Sequence, residues 1–208
     1  MDLWIFDNDG TLYNDGAAYG QFQDLFLAFI PTLRGVDEAR KQQLLMALRN
    51  KTGISSALFA LHRDMHLDFD ATIAATYLRI DLDKCQITSP DLERKKALES
   101  IRAEKVVFTN NASAHALRVL RYVGLDTCFS RIIGIQETGG LSKPDHKAFR
   151  FVHELFPGYD RKFFCDDKRE FLDVARDFGW HTIWYQPSVD IQVYSPHRII
   201  RSFAELVI

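Results

Sequence analysis

Disulfides and thiolate metal centres have almost no raw material here. The 208 residues hold three cysteines, at 85, 128 and 165, an odd number without any C-x-x-C pair. A reducing compartment suits such a chain. An excess of positive charge is also missing: 26 Lys and Arg against 28 Asp and Glu leave a formal charge of −2, so no global field draws in a nucleic-acid polymer or an anionic membrane. No apolar run is long enough to cross a bilayer, and Met1-Asp2 leads into an apolar stretch with no basic leader, so the expectation is a cytoplasmic, unprocessed protein. What is present is ordinary for a globular chain, with 47% hydrophobic and 26% charged residues, which argues against disordered and fibrous classes. Sixteen phenylalanines point to a well-filled interior, and the length suits a core domain that carries an insertion.

The stretch Trp4-Ile5-Phe6-Asp7-Asn8-Asp9-Gly10-Thr11-Leu12-Tyr13 runs from apolar residues straight into two carboxylates and a glycine. A continuous apolar run bounded by a turn signal reads as a fully buried strand of a parallel sheet, and ligands of such sheets sit beyond the carboxyl ends of the strands. Gly10 permits a tight turn or close backbone approach, and with Asn8 and Thr11 the backbone past Asp7 can present N–H groups to an anion. An Asx-rich turn closing an ordinary strand would use the same residues, so the rest of the chain has to decide.

The next seventy residues are helical in pattern. Phe22, Leu25, Phe26, Phe29 and Ile30 share one face before Pro31, and further helices are expected over 36–51, 54–65 and 68–78, together a small helical bundle. The aromatic stripe Phe22, Phe26, Phe29 reads as helix packing rather than as a stacking surface for substrate. His62 and His66 stand at i, i+4, but lack the further ligands a metal needs, and with Arg63 and Asp64 between them they read as an exposed helix end.

Ser89-Pro90 then predicts a helix start, with Ser89 as N-cap, and strands alternate with helices to the end. Lys105 to Asn111 is an apolar run ending in polar residues. A helix over 112–123 stops at Gly124, and a short strand follows over 131–135. Lys143-Pro144 opens a helix through Leu155, with Pro144 in its first turn, so Lys143 is expected extended at the threshold. Arg161 to Asp167 is again apolar and again ends in acids. A helix over 170–178, a strand over 181–185, and a last short strand and helix near 198–206 complete the chain. Cys165 lies within a strand and reads as a small buried residue rather than a nucleophile.

Alternating strands and helices predict an α/β fold, a three-layer Rossmann-like parallel sheet in which right-handed crossovers bring the strand ends to one edge. Asp7, Asp9, Thr109, Lys143, Asp166 and Asp167 then meet there. Together they offer carboxylates, a hydroxyl and a cation, the ingredients of a phosphoryl-transfer site.

The wording FDNDGT, FTNN, LSKPD and FFCDD, in that order, resembles the four motifs of the haloacid dehalogenase-like (HAD) hydrolase superfamily. The resemblance implies Asp7 as nucleophile, Asp9 as general acid/base, Thr109 as the hydroxyl residue, Lys143 as the motif lysine and Asp166-Asp167 as the acidic pair. It further implies a core over 1–14 and 87–208 with an inserted helical C1-type cap over 15–86. The local wording is most similar to pyrimidine 5′-nucleotidases and related phosphatases.

That chemistry accounts for the residue types. A carboxylate attacking phosphorus forms an aspartyl-phosphate that hydrolyses readily, while a second carboxyl protonates the leaving alkoxide and then activates water. Phosphoryl oxygens repel the attacking carboxylate, so Mg²⁺ is the expected cofactor, with Asp7, the Asp9 carbonyl and Asp167 as direct ligands and Asp166 acting through water. Asn8, Gly10, Thr109, Asn110 and Lys143 are expected to hold the phosphate of a small-molecule substrate. A dehalogenase would have no use for the second motif carboxylate, whereas a phosphomutase would use nearly the same set. A non-catalytic module that kept the fold would be free to lose Asp7 or Lys143, and both are here. One departure stands out: the last motif commonly reads DDxxxN or DDxxxD, whereas this chain has Phe171, leaving Glu170 or Asp173 as stand-ins for the missing polar group.

Overall fold

The computed structural model describes residues 1–14, 16–49, 69–89, 91–188 and 195–206. Its centre is β1 (Asp2–Phe6), flanked by β2 (Glu104–Phe108) and β4 (Arg161–Asp166), with β3 (Arg131–Ile133) outside β2, and β5 (His181–Tyr185) and β6 (Arg198–Ile200) beyond β4. Every pairing in the order β3-β2-β1-β4-β5-β6 is parallel. Because the chain leaves β1 first toward one side of the sheet and later returns to the other, the crevice beyond its carboxyl end is the natural ligand position of such sheets.

The apolar run of β1 is unbroken because both of its faces are covered. Trp4 and Phe6 belong to one buried cluster, with Val107, Cys165 and Ile183 from neighbouring strands. Leu3 and Ile5 alternate into a second cluster, with Val106, Phe108 and Phe164. Helices α6 (His146–Leu155) and α7 (Arg169–Asp177) supply Phe149, Val152, Leu172 and Ala175 to that second layer. The first layer is closed by α4 (Leu92–Ser100) and α5 (Ser113–Val123), the latter burying Ala116, Val119, Leu120 and Val123 on one face. Gly124 ends α5 at φ 76°, a left-handed position that glycine takes without steric cost.

Between β1 and α4 the described residues contain only helical elements: α1 (Gly16–Phe29), a 3-10 turn at Ile30–Thr32 that takes in Pro31, α2 (Glu38–Arg49), α3 (Phe69–Ala75) and 3-10 turns at Tyr77–Arg79 and Leu82–Cys85. The helix expected over 68–78 stops early. The Thr76 hydroxyl donates to the Thr72 carbonyl at 2.7 Å, and the Thr76 backbone leaves helical geometry, with φ −124° and ψ −85°. The helix expected over 54–65, with His62 and His66, lies outside the described residues, as does Pro90.

Two helix starts also differ from expectation. Asp91, not Ser89, caps α4, its carboxylate accepting from the Arg94 amide at 2.9 Å, while the Ser89 hydroxyl donates to the Tyr122 carbonyl. Asp145 caps α6 by accepting from the Lys147 amide at 2.8 Å, which leaves Pro144 outside the helix, in a cis bond to Lys143. The strands ending at Phe108, Ile133 and Asp166 are one to three residues shorter than their apolar runs suggest, because the polar residues that follow turn away from the ladder. Among the described residues no helix is long and apolar enough to cross a membrane.

Candidate active site

Asp7 is the first residue beyond β1, its amide still held by the Cys165 carbonyl at 2.9 Å, and Asp166 is the last residue of β4 beside it. Between these carboxylates lies Lys143, whose ammonium donates to Asp7 Oδ1 at 2.6 Å and to Asp166 Oδ2 at 2.8 Å. Its side chain is fully buried. The Lys143 backbone is fixed from the next strand end: its amide donates to Asn110 Oδ1 at 2.7 Å, and Asn110 Nδ2 donates to its carbonyl at 2.9 Å. Both ends of the Asn110 amide are thereby engaged in placing the lysine.

The ammonium also sits near three rings, those of Phe171, Phe108 and Phe164, at 5.0, 5.2 and 5.3 Å from their centroids. Phe171 therefore packs its ring toward Lys143 where the family pattern carries a polar residue. Neither suggested stand-in does this: Glu170 is exposed, and Asp173 accepts from His197 at 3.1 Å. Burial opposes charge on Lys143, but the Asp166 and Asp7 carboxylates outweigh it and hold the lysine above its ordinary pKa. Burial, partly offset by Lys143 and reinforced by Asp166, Asp9 and Asp167, pushes the Asp7 carboxyl well above the usual carboxylate range.

Asp9, two residues on, has different partners. Tyr13 donates to its Oδ1 and the Thr109 hydroxyl to its Oδ2 at 3.0 Å, with Asn8 Nδ2 at 3.5 Å. Thr109 in turn accepts from the Asn111 amide at 3.0 Å, so its hydroxyl is oriented toward Asp9. Gly10 has φ 82°, and its amide donates to the Tyr13 carbonyl at 2.9 Å, closing the turn that brings Tyr13 back onto Asp9. A Cβ at Gly10 would lie 2.8 Å from Asp167 Oδ2, so the missing side chain is the space in which that carboxylate sits. The Asp167 backbone is held from β5, its carbonyl accepting from Trp184 Nε1 at 2.9 Å and Gln186 Nε2 at 3.0 Å. Arg94 ties the same region down, donating to the Leu12 carbonyl at 2.6 Å and to the Tyr185 hydroxyl at 3.1 Å.

Oxygens of Asp7, Asp166 and Asp167 lie within 4.8 Å of one another. An all-oxygen donor set, an Asp7 anion made costly by neighbouring negative charge, and a glycine cradle for the third carboxylate fit a hard divalent cation such as Mg²⁺. The two Asp166 oxygens accept from Lys143 and from the Lys168 amide at 2.8 Å, an arrangement that suits a role behind Asp7 and Asp167. The Asp9 carboxylate is outside this cluster.

A cavity of about 100 Å³ opens at this edge. Asp7, Asp9, Asn110 and Lys143 are among its lining residues, whereas Asn8, Gly10, Thr109, Asp166 and Asp167 are not. Tyr13, Ala18, Tyr19, Phe22, Tyr77, Ile80 and His115 line it as well. Phe22 and Phe26 pack in the core cluster, and Phe22 additionally borders the cavity, its ring 4.4 Å from that of Tyr77. Sequence reasoning missed Tyr13, Tyr77 and His115. Tyr13 could have been found from its place at i+4 to Asp9 within the motif turn; the other two have no local signal. Cys165 is fully buried in β4, with burial pushing its thiol up, as befits a packing residue.

A family model described as haloacid dehalogenase-like hydrolase matches residues 1–163, a span that includes Asp7, Asp9, Thr109 and Lys143. Among solved structures, the HAD phosphatase from Thermococcus onnurineus is similar with a TM-score of 0.64 at 18% identity, over 99% of this chain and 96% of that one. The Bacillus subtilis HAD-hydrolase YfnB, in a magnesium-bound form, matches with a TM-score of 0.62 at 19% identity, over 98% and 96% of the two chains. The L-2-haloacid dehalogenase of Xanthobacter autotrophicus matches with a TM-score of 0.59 at 15% identity, also over 98% and 96%. At these identities the likeness is one of fold, and the fold alone serves more than one chemistry.

Proposed function

The chain belongs to the haloacid dehalogenase-like hydrolases, and on that premise we propose that it is a magnesium-dependent phosphatase that removes phosphate from a small molecule through an aspartyl-phosphate on Asp7. The observation that carries this reading is that two carboxylates of one turn have separate partners: Asp7 faces Lys143 and the acidic cluster, while Asp9 is held by Tyr13 and Thr109. Two such groups can take two jobs. Displacing a halide requires no proton donor, so a dehalogenase would gain nothing from a second carboxylate held in this way.

Lys143 fixes one Asp7 oxygen and neutralises part of the charge that builds as the nucleophile meets the phosphoryl group. An Asp7 oxygen attacks phosphorus, the bond from phosphorus to the leaving oxygen breaks, and Asp9 gives that oxygen its proton. Asp9 then takes a proton from water as the water attacks the phosphorus of the aspartyl-phosphate, releasing phosphate and restoring Asp7. Mg²⁺ held by Asp7 and Asp167, with Asp166 behind them, would screen the phosphoryl oxygens from the incoming carboxylate. The segment over 15–86, helical in its described elements, acts as a cap, its α1 residues bordering the cavity, and encloses soluble monophosphates more readily than phosphate groups on a folded protein surface.

Resemblance in wording around Thr109 and Lys143 nominates pyrimidine nucleoside 5′-monophosphates as first substrates. The test is phosphate release from UMP, CMP, hexose phosphates and phosphoglycolate, with Mg²⁺ and with excess EDTA. Release that requires Mg²⁺ and is inhibited by Ca²⁺, whose larger and looser shell misplaces the nucleophile, is the expected result. Full activity in EDTA with no tightly bound metal would overturn it.

A further inference from the structure

Two residues that line the cavity beside Asp9 each carry a buried polar atom without a hydrogen-bond partner among the described residues, the Tyr77 hydroxyl and His115 Nδ1. Both residues are only 1% exposed. Buried polar groups are nearly always paired, and an orphan is costly, so two together on one cavity wall call for a reason. They form a unit: Tyr77 comes from the helical segment and His115 from α5, their ring centroids are 5.4 Å apart, and both feel the charge of Asp9. The histidine is hydrogen-bonded to the backbone of Tyr77, an interaction that favours the proton on the nitrogen facing that backbone. Burial lowers the imidazole below its ordinary pKa, so the ring is neutral at pH 7 and Nδ1 is an acceptor. The Tyr77 hydroxyl remains a donor.

Around this pair the wall is apolar, made by Ala18, Phe22 and Ile80. Among the described residues the cations that line the cavity are Lys143, committed to two carboxylates, and the exposed Lys168 at the start of α7. No cation lines the cavity beside this pair among the described residues, and Arg118, whose charge acts on His115, is outside the lining and donates to the Leu78 carbonyl at 3.2 Å.

We propose, on the phosphatase reading above, that Tyr77 and His115 read the group from which phosphate is removed, and that this group is uncharged and presents a hydrogen-bond donor to His115 Nδ1 and an acceptor to the Tyr77 hydroxyl. Nucleosides and neutral sugars have this chemistry; carboxylates do not. A site built to pair with such groups discriminates against an analogue that lacks them, because its own buried atoms then stay unpaired.

The test compares the full chain with Tyr77→Phe and His115→Gln, which delete the hydroxyl and the Nδ1 acceptor, after thermal melts have shown that the variants fold. Values of kcat/KM are measured with Mg²⁺ for UMP and glucose 6-phosphate, for phenyl phosphate, whose leaving group is uncharged but has no polar edge, and for phosphoglycolate, whose leaving group carries a carboxylate. The wild type is expected to prefer the better of UMP and glucose 6-phosphate to phosphoglycolate. The ratio of kcat/KM for that substrate to that for phenyl phosphate should fall about tenfold in each variant, mainly through KM, as loss of one hydrogen bond predicts. A ratio unchanged in both variants, or a wild-type preference for phosphoglycolate, overturns the assignment and leaves the phosphatase reading standing. No release by the wild type from any of the four compounds removes the phosphatase reading, and this assignment with it.

Discussion

The floor of the cavity and another part of its lining treat polar groups in opposite ways. On the floor the Lys143 ammonium already has Asp7 and Asp166, with its backbone held by Asn110, and Asp9 has Tyr13 and Thr109. Elsewhere along the lining, the Tyr77 hydroxyl and an imidazole nitrogen of His115 are buried without partners among the described residues. The difference separates two demands. Groups that act on the invariant part of a substrate are best fixed beforehand, since dipoles and charges already in place cost no reorganisation during reaction. Groups that choose among substrates are better left wanting, since their desolvation is then recovered only when a matching ligand arrives.

The sharpest way to break the floor is Asp7→Asn, which removes the attacking oxygen anion and nearly preserves shape. Turnover should fall by at least about 10⁴-fold, and no phosphoenzyme should form, as measured by phosphate release and by labelling with a radiolabelled substrate. Stability should move the other way in metal-free protein. Because burial raises the folded pKa of Asp7 above its value of 3.8 when unperturbed, the folded state binds the extra proton, and its stability falls as pH climbs from that value through the raised pKa. Asparagine abolishes that loss, so in EDTA at pH 7 the variant's Tm should equal or exceed that of the wild type; a clear drop would show that the Lys143 contact outweighs burial. Lys143→Met is the next blow, expected to cost about 10³-fold in kcat/KM and about 3–5 kcal/mol of stability, since Asp7 and Asp166 are then left buried without their cation. Urea unfolding in EDTA reads the stability term directly.

How much of this was legible in the sequence divides along the same line. The sheet was readable because β1, β2 and β4 are apolar runs that end in polar or charged residues, and parallel crossovers carry their ends to one edge whatever the helices do. Asp7, Asp166 and Asp167 could be placed from that logic and Lys143 from the Lys-Pro pair expected at a helix threshold, and the structure brings their side chains into contact or close proximity. What stayed hidden were contacts that depend on side-chain direction. Thr109 was expected to face phosphate, but its hydroxyl turns to Asp9, and Asn110 serves Lys143 with both ends of its amide. Tyr77 follows a helix that ends three residues earlier than its periodicity indicates, because a threonine hydroxyl bonding back to a carbonyl is invisible to hydrophobic pattern. His115 lies on the buried face of α5, where a histidine reads as packing unless the cavity beside it is known.

A milder change tests whether Asp9 depends on the turn that carries it. Tyr13→Phe deletes the donor to Asp9 Oδ1 and leaves the Thr109 bond to Oδ2. A hydrogen bond to a charged group is worth about 1.5–3 kcal/mol, so kcat should drop about tenfold or more. The acid/base limbs of the pH–rate profile should shift too, since the group that loses the bond is the one proposed to exchange protons. A profile that keeps its shape while kcat/KM falls equally for all substrates would instead make Tyr13 a wall residue.

The smallest effect is expected at Phe171, where the floor departs from the family pattern. Its ring stands 5.0 Å from the Lys143 ammonium, and Phe108 and Phe164 provide two further faces at 5.2 and 5.3 Å. Each such contact contributes about 0.5–2 kcal/mol, more when water is excluded, so the rings stabilise the charge without competing for its hydrogen bonds. Phe171→Leu keeps the site apolar and close in volume but removes one face. Stability should fall by less than about 1.5 kcal/mol, and kcat by about threefold, because two ion pairs and Asn110 still hold the lysine in place. Phe171→Asn separates the ring's contribution from its bulk. If a polar group at this position merely restored what the family pattern uses, the asparagine variant would match the wild type; if the rings form the lysine's setting, it should be slower than the leucine variant, because its amide would be buried among Phe108, Phe164 and the ammonium and would compete for the donors that now serve Asp7 and Asp166.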